Sequence, residues 1–220
     1  MQLLGQGGVW KIYRIDNEKS VFRIPKGFAE ISIQTFIKNY KFINSIGIPT
    51  LERVEKFELN GKIGIKCDNV NFPAERVYVT YNSLYSDSHK YLDLLSTEIT
   101  GNKKKREVCL AEEFRYRNKI VQITNFKEFI LDVKSDIKLA TKRDVLIEFD
   151  SYFFGTQRQN SVSSIDYKIV DLDHIFTKTC KNEVDLYGTN FSEFKRAISG
   201  FLKYFVTDEN RNKYIDELEE

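Results

Sequence analysis

The first third of the chain changes twice between strand-like and helix-like spacing of its hydrophobic residues. Residues 8–15 alternate apolar and polar side chains, and residues 20–25 form a run of strand formers after a polar turn. Residues 29–46 instead repeat apolar side chains every three or four positions, which predicts a helix. Residues 51–67 return to strand-like spacing and contain an Asn-Gly pair, a strong signal of a β-hairpin. The predicted order is two strands, one helix and a hairpin.

The remaining two thirds combine long helical patterns with short strand patterns. Helical spacing covers residues 107–123, 126–140, 191–206 and 208–220, and strand-like runs cover residues 77–81, 145–154 and 167–175. A polar, proline-containing stretch at residues 68–73 separates this part from the first. The sequence therefore predicts an α+β protein with an N-terminal unit, residues 1–70, and a mostly helical C-terminal unit, residues 71–220.

Charge and cysteine content narrow the class of protein. Lys and Arg number 34 and Asp and Glu number 32, so the net charge of +2 argues against a nucleic-acid partner. The three cysteines are widely spaced, which indicates neither a disulfide framework nor a zinc site and fits a reducing compartment. Neither a signal-peptide pattern nor an apolar run of membrane-spanning length is present. We expect a cytoplasmic protein, or an effector delivered without a classical signal peptide.

Glycines and cations stand close together at the start of the chain. Gly5, Gly7 and Gly8 fall within four positions, just before the first alternating run. A glycine turn between strands exposes backbone N–H groups that can lie over phosphates, although an ordinary tight hairpin would look the same. Arg23 lies on the next predicted strand between apolar neighbours, and Lys26 follows a proline at the end of that strand. Either cation could hold phosphate oxygens beneath the glycines.

Three aspartates follow or interrupt apolar strands later in the chain. Asp171 and Asp173 end the run Lys-Ile-Val, and Asp150 lies within the aromatic run Ile-Glu-Phe-Asp-Ser-Tyr-Phe-Phe. Magnesium prefers hard oxygen ligands and takes one or two carboxylates together with substrate phosphates. A carboxylate in an apolar strand is costly unless it is paired, binds metal or takes part in catalysis. A hydrogen-bonded structural role remains the alternative for each of the three.

The order of these motifs resembles the protein-kinase-like superfamily, which includes eukaryotic-like protein kinases and aminoglycoside phosphotransferases. GQGGVWKIYRI resembles the glycine-rich loop with its strands, VFRIPK the strand of the nucleotide-binding Lys, and KIVDLDHI the strand before the metal-binding Asp. The resemblance implies a two-lobed fold with a small β-rich N-lobe. It also implies that Gly5, Gly7 and Gly8 cover the phosphates of ATP, and that Asp171, with Asp173 as a second candidate, binds Mg²⁺.

The chain departs from the family pattern at the cation and at the helix that faces it. Arg23 stands where the resemblance implies Lys, unless the register shifts and Lys26 takes that place. The helix lacks the Glu expected at its middle. Gln34 is the best-placed substitute, and Glu30 is the other candidate. We expect Arg23 to be the phosphate clamp and Gln34 to orient its guanidinium.

The catalytic loop admits two alignments, because the family's His-Arg-Asp is absent. In the first, Asp150 is the catalytic base and Gly155 takes the place of the metal-binding Asn. In the second, Lys142-Arg143-Asp144 matches His-Arg-Asp, and Asp150 stands near that Asn. Asp150 is essential in both alignments, and Asp144 only in the second.

The resemblance implies an ATP- and Mg²⁺-dependent phosphotransferase that acts on a hydroxyl of a protein or a small molecule. Little chain remains after the metal-binding motif, which favours a minimal kinase of the kind found among bacterial effectors and toxins. The runner-up is a pseudokinase that binds nucleotide or protein without turnover. A third reading is a restriction-like nuclease, in which Asp150, Asp166 and Lys168 would form the Asp…Asp-x-Lys pattern of a magnesium site.

Overall fold

The computed structural model describes most of the chain outside one long central stretch. The described residues are 2–6, 9–15, 19–27, 29–70, 76–79, 120–157, 161–177 and 183–219. Gly7 and Gly8, and all of the predicted helix at 107–123 except its last four residues, lie outside these ranges. Within them, no helix combines the length and hydrophobicity that a bilayer crossing requires.

The N-terminal part is a five-stranded antiparallel sheet. Its strands are β1 (Gln2–Gln6), β2 (Trp10–Ile15), β3 (Ser20–Pro25), β4 (Val54–Leu59) and β5 (Lys62–Asp68). They are arranged in the order β1-β2-β3-β5-β4, so the hairpin of β4 and β5 joins the sheet beside β3. Asn60 and Gly61 have φ angles of 53° and 72°, the turn geometry that the Asn-Gly pair predicts.

Helix α1 (Ala29–Ser45) covers one face of this sheet. Its buried side chains are Ile33, Phe36 and Ile43, at the spacing that predicted the helix. Gly47 follows with a φ angle of 81°, a left-handed conformation that ends the helix cheaply only at glycine. The sheet and α1 bury a common apolar layer to which Trp10 of β2 and Ile65 of β5 contribute.

Helices and short sheets form the remainder of the described chain. The helices are α2 (Phe126–Thr141), α3 (Glu183–Phe205) and α4 (Asp208–Glu219). The short sheets pair β6 (Arg76–Val79) with β9 (Tyr152–Gln157) and β11 (Ile165–Ile169), β7 (Gln122–Ile123) with β10 (Val162–Ser163), and β8 (Val145–Ile147) with β12 (Ile175–Thr177). Buried aromatic rings pack between these layers: Phe129, Tyr152, Phe154, Phe194 and Phe201.

Both acid-bearing strands predicted from the sequence prove to be interrupted. The run at 145–154 is strand β8, a 3-10 turn at Phe149–Ser151, and strand β9. The run at 167–175 leaves β11 for a 3-10 turn at Leu172–His174 before β12 begins. The breaks arise because each half pairs with a different partner: β8 with β12, and β9 with β11. An unbroken strand was therefore the wrong prediction at both sites.

The ends of two helices also differ from the pattern. Helix α3 begins at Glu183, eight residues before the predicted start at 191. In the described end of the predicted helix at 107–123, Gln122–Ile123 is a strand and Ile120 bridges to Val206. Strand pairing therefore overrides helical spacing at this edge, because β7 finds a ready partner in β10.

The two parts meet through a few long-range backbone contacts. Thr50 bridges to Ile169, whose N–H also donates to the carbonyl of Pro49 at 2.8 Å. Among the described strands, the five-stranded sheet shares none with the sheets of the later part. The division at residue 70 stays a prediction, because residues 71–75 lie outside the described ranges.

Candidate active site

Arg23 is a buried cation on the inner face of the N-terminal sheet. Only 5% of its surface is exposed, and its guanidinium lies 4.9 Å from the centre of the Phe36 ring on α1. Nη2 donates a long hydrogen bond of 3.4 Å to the carbonyl of Val170, and Nη1 lies 3.8 Å from Oδ1 of Asp171. The structure thus brings the predicted cation and the predicted metal-binding acid together at the junction of the two parts.

The expectation for Gln34 is corrected by the position of α1. Gln34 lies on the exposed side of the helix, where its amide is 3.5 Å from a carboxylate oxygen of Glu30. Phe36 instead lies beneath the guanidinium, so the ring face takes the position where the family resemblance implied an acid. The error is one of helix phase: Gln34 was chosen by its central place in the sequence, whereas the buried stripe runs through Ile33, Phe36 and Ile43.

The backbone around Arg23 is unusually crowded. A Cβ on Gly64 of β5 would lie 2.3 Å from the carbonyl oxygen of Arg23 and 2.8 Å from the ring of Phe22, so only glycine fits there. Cys67, farther along β5, is fully buried. Burial raises the pKa of its thiol, and the charge of Arg23 opposes that rise. Arg23 is therefore held on a tightly packed strand pair and not on a mobile surface.

The 3-10 turn at Phe149–Ser151, called here the Asp150 turn, lies against the residues that precede and include Asp171. The carbonyl of Ser151 accepts a hydrogen bond of 3.0 Å from the N–H of Val170. The hydroxyl of Ser151 donates at 3.0 Å to the carbonyl of Asp171. Asp150 and Asp171 are thus brought to neighbouring segments, which is compatible with both alignments.

Side chains of helix α3 hold the Asp150 turn and the strand β8 that precedes it. The side-chain oxygen of Asn190 accepts the N–H of Ile147, and its amide donates to the carbonyl of Val145, both at 2.8 Å. A carboxylate oxygen of Glu193 accepts the N–H of Phe149 at 3.0 Å. The guanidinium of Arg196 lies 3.6 Å from the centre of the Phe149 ring. Three side chains on one helix therefore position the backbone on which Asp150 is carried.

Residues 171–175, called here the Asp171 segment, are held from the N-terminal part. The indole N–H of Trp10 on β2 donates to Oδ2 of Asp173. The amide of Asn39 on α1 donates to the carbonyls of Leu172 at 2.7 Å and Ile175 at 3.2 Å. Asp173, predicted as a second metal ligand, therefore accepts a hydrogen bond from the strand that follows the glycine turn.

Other predicted site residues lie elsewhere. Gly5 lies inside β1 opposite Ile12, next to a register irregularity, whereas Gly7 and Gly8 are outside the described residues. Lys26 is exposed and borders an open concavity of about 440 Å³ that is also lined by Lys11 and Lys62. Ile24, the strand neighbour of Arg23, also lines that concavity, and successive side chains of a strand point to opposite faces, so the concavity lies on the face away from Arg23.

Asp144 lies at the opposite end of β8 from the Asp150 turn. It is exposed, has a φ angle of 55°, and closes the turn after α2 through its N–H to the carbonyl of Thr141 at 3.0 Å. The structure therefore does not bring Asp144 to Asp171. In the second alignment Asp150 stands near the metal-binding Asn; in the first, Gly155 would take that place, but it lies within β9.

The nuclease pattern is not assembled. Asp166 of β11 pairs with Gly155 of β9. It lies three residues before Ile169, which pairs with Tyr152, the residue directly after the Asp150 turn. At about 3.3 Å per residue this places roughly 10 Å of strand between the two acids. Lys168 lies 5.6 Å from the centre of the Tyr78 ring and 3.9 Å from Glu52, and Asp166 accepts a hydrogen bond from the Tyr78 hydroxyl at 3.1 Å, so Asp166 and Lys168 lie together beside Tyr78. The three residues do not share one metal site in this structure.

Sequence reasoning missed the residues that hold the acids. Ser151, Glu193 and Asn190 belong to no motif, and Asn39 looks like an ordinary polar position on an amphipathic helix. One signal was available: Asn190 is a polar residue within the apolar stripe of α3, where burial without a partner is costly.

No protein-family model and no curated protein sequence matches the chain. Several solved structures are similar to it, and three of them are described here. WaaP in complex with acyl carrier protein is 7% identical, with 99% of this chain and 77% of that one covered and a TM-score of 0.45. The Helicobacter pylori proinflammatory kinase CtkA is 13% identical, with 100% and 78% covered and a TM-score of 0.46.

The third similar structure is the ADP-bound aminoglycoside phosphotransferase APH(2'')-Ib. It is 12% identical, with 99% of this chain and 80% of that one covered and a TM-score of 0.38. The α+β class predicted from the sequence is confirmed by the elements of the chain itself. Their order is a five-stranded sheet with one helix, then helices and short strands that carry the acids, which is the order that the sequence resemblance implied.

Proposed function

We propose that this protein is an ATP- and Mg²⁺-dependent phosphotransferase that transfers a phosphoryl group to a hydroxyl of a protein or a small molecule. The observation that carries the proposal is the 3.8 Å approach of the buried Arg23 guanidinium to the carboxylate of Asp171. A cation and a hard oxygen donor held on rigid elements are what a nucleotide phosphate and its metal ion require.

The residues at the junction fit a magnesium ion. Oδ1 of Asp171 is shielded from solvent and has no hydrogen-bond donor among the described residues. Its side chain as a whole is 35% exposed, so part of the carboxylate remains accessible to a ligand. No group of three or more His, Cys, Asp or Glu side chains forms a metal cage in the described part of the chain. When bound, Mg²⁺ would neutralise charge on the phosphate oxygens.

Each protein group then has a separate role. Arg23 would offer its planar fork to two phosphate oxygens, and the ring of Phe36 would attract the guanidinium from below. Asp150 would accept the proton of the acceptor hydroxyl and orient its oxygen. Ser151 would fix the spacing between Asp150 and Asp171 through its two hydrogen bonds. Positioning and electrostatics supply most of the rate in this chemistry.

A pseudokinase is the second candidate, and one observation favours it. Gly155, at the position of the metal-binding Asn in the first alignment, lies within β9, where a Cβ would be 2.2 Å from Oδ1 of Asp166. This position therefore cannot supply a second metal ligand. A pseudokinase with the same cleft would bind nucleotide without turning it over.

Incubation with γ-labelled ATP and Mg²⁺ separates the two candidates. Autophosphorylation, transfer to protein lysate and transfer to small hydroxylated molecules are measured together with ADP release and equilibrium binding of ATP. Turnover that requires Mg²⁺ and is lost in Asp150→Asn supports the phosphotransferase. Binding without turnover in all three assays supports the pseudokinase, and absence of both binding and turnover contradicts the proposal.

A further inference from the structure

Helix α1 carries no acidic side chain beneath Arg23, so an ion pair with Arg23 does not connect this helix to Asp171. Phe36 lies there, and the one acid of the helix, Glu30, is exposed in its first turn. A ring face attracts a guanidinium but does not fix the rotation of its fork as a carboxylate would. The Arg23 side chain alone therefore couples α1 only loosely to Asp171.

Asn39 provides the direct connection. It lies one turn after Phe36, and its amide donates to two carbonyl oxygens, those of Leu172 and Ile175, at 2.7 and 3.2 Å. The amide group has two N–H donors, so one side chain can bond at once to the carbonyl of Leu172, in the turn Leu172–His174, and to that of Ile175, the residue after the turn. Asn39 is half-buried, so these bonds are shielded in part from competing water.

Trp10 provides a second connection from the sheet. Its ring is 4% exposed and packs edge-on against Phe36 at 5.6 Å between centroids. Its indole N–H is a donor only, and the acceptor it finds is the carboxylate of Asp173. The Asp171 segment is thus gripped at its middle by Trp10 and on both sides of that point by Asn39.

We propose that Asn39 and Trp10 are positioning residues for Asp171, and that Asp173 serves as the acceptor of this clamp and not as a metal ligand. Through the clamp, a displacement of α1 or of β2 shifts the Asp171 backbone directly. The inference rests on the proposed function only in treating Asp171 as the metal-binding acid. The clamp itself is a property of the ligand-free fold.

Amide hydrogen exchange tests the clamp without any ligand. Asn39→Asp keeps the shape of the side chain, removes both donors and turns a carboxylate towards two carbonyls. Asn44→Asp makes the same change on the exposed side of the same helix and is the matched control. We expect exchange of residues 170–177 to accelerate about 10–100-fold in Asn39→Asp, since two hydrogen bonds are lost. Exchange in α2 should be unchanged, as should all exchange in Asn44→Asp.

Binding of Mn²⁺-ATP provides the readout that a purely structural role would not change. We expect its affinity to fall about tenfold in Asn39→Asp at unchanged α2 protection, because Asp171 is misplaced while the fold is kept. Equal exchange and equal affinity in the Asn39→Asp and Asn44→Asp variants would overturn the proposal.

A second variant keeps the test decisive if Asn39→Asp loses protection throughout. Trp10→Phe retains a ring beside Phe36 and removes only the N–H donor. Faster exchange confined to residues 170–177 in this variant supports the clamp, and unchanged exchange there refutes it. If the parent protein binds no Mn²⁺-ATP, the proposed function fails while the exchange data still decide the clamp.

Discussion

The Asp150 turn and the Asp171 segment lie side by side but are held from opposite directions. Asn190 and Glu193 of α3 hold the first through backbone groups of β8 and of the turn itself. Trp10 and Asn39 hold the second from β2 and α1. Ser151 is the link between them. The turn that carries Asp150 is therefore held by the C-terminal part, whereas the segment that carries Asp171 is held by the N-terminal part.

This difference separates two demands on the site. In the proposed mechanism Asp150 orients the acceptor and has to keep one geometry, and helix α3, packed against its turn, provides that rigidity. Asp171, the proposed metal-binding acid, lies where the two parts join, so its position depends on how these parts pack against each other. Variants that act on one support and spare the other therefore test the division.

The largest effect is expected for Asp171 itself. Asp171→Asn should lower Mg²⁺-dependent turnover about 10²–10³-fold, since it removes the charge that faces both metal and Arg23. The fold should remain intact, because the side chain is partly exposed and the amide is isosteric. Turnover and thermal unfolding are measured in parallel. A variant that unfolds, or that binds Mg-ATP as tightly as the parent, would show that Asp171 is structural.

Asp144→Asn carries the same change at the far end of β8 and decides between the two alignments. Asparagine tolerates the left-handed φ of 55° as well as aspartate does, so the backbone is undisturbed. Unchanged turnover is the result the first alignment requires. A loss comparable to that of Asp171→Asn would favour the second.

Removing the support of the Asp150 turn should come next in size. Asn190→Ala leaves the buried N–H of Ile147 and carbonyl of Val145 without their partner, at a cost of roughly 2–4 kcal/mol in the free energy of unfolding. Ser192→Ala on the exposed side of the same helix should change it by less than about 0.5 kcal/mol. Urea denaturation measures both. Equal free energies of unfolding in the two variants would show that α3 does not support the Asp150 turn.

A smaller effect separates Arg23 from Lys26. Arg23→Ala should weaken ATP binding about 10–100-fold, as expected for the loss of a charge-assisted hydrogen bond, whereas Lys26→Ala should change it by less than about twofold. Arg23→Lys keeps the charge but not the fork, so it isolates the contribution of geometry. Titration calorimetry gives the three affinities. Equal or reversed losses at Arg23 and Lys26 would identify Lys26 as the clamp.

The smallest effect concerns a buried pair far from the cleft. The hydroxyl of Tyr167 donates at 2.5 Å to Asp136, and burial raises the pKa of Asp136 above its ordinary value of 3.8 despite this bond. A raised pKa means that the folded state binds the proton more tightly, so stability is lost as pH rises from 3.8 through the folded-state pKa. In Asp136→Asn the side chain still accepts the hydrogen bond from Tyr167 but cannot ionise, so this variant does not lose stability as the pH rises through that range.

Denaturation of the parent and of Asp136→Asn across the acid range measures the effect. The stability difference between variant and parent should shift in favour of the variant as pH rises through that window. A constant difference would mean that the Asp136 carboxyl ionises in the folded protein as it does in the unfolded chain.

The sequence predicted four of the five strands of the N-terminal sheet because they follow local rules; β1 (Gln2–Gln6) was not predicted. The hairpin at Asn60-Gly61 and helix α1 depend on turn chemistry and on one amphipathic stripe. Helix α1 ends one residue before its predicted end, and the hairpin begins at Val54, three residues after its predicted start. Arg23 was placed on a strand and Asp171 at a strand exit for the same reason. Their approach follows from the order of elements and could be expected from the family resemblance alone.

The remainder depended on contacts that spacing does not encode. Whether Gln34 or Phe36 faces Arg23 is a matter of helix phase, and the breaks at the Asp150 turn and at Asp171 follow from strand pairing across the chain. Glu193 and Asn39 act through backbone groups more than 40 and 130 positions away, respectively. No local pattern distinguishes such residues from ordinary polar positions.

The clamp of Trp10 on Asp173 has a consequence for the synthesis of the protein. Trp10 and Asp173 are 163 positions apart, and Arg23 and Val170 are 147 apart. At roughly 5–20 residues per second, a ribosome takes about 7–30 s to add the residues between Arg23 and Val170. During that time Asp171 has not been added, so its carboxylate cannot contact the Arg23 guanidinium. A nascent chain arrested before residue 170 should therefore lack the contacts of Trp10, Arg23 and Asn39 with residues 170–175, and these side chains should be more accessible to proteases and chaperones. The N-terminal part is synthesised first, but it gains these contacts only after residues 170–175 have been added.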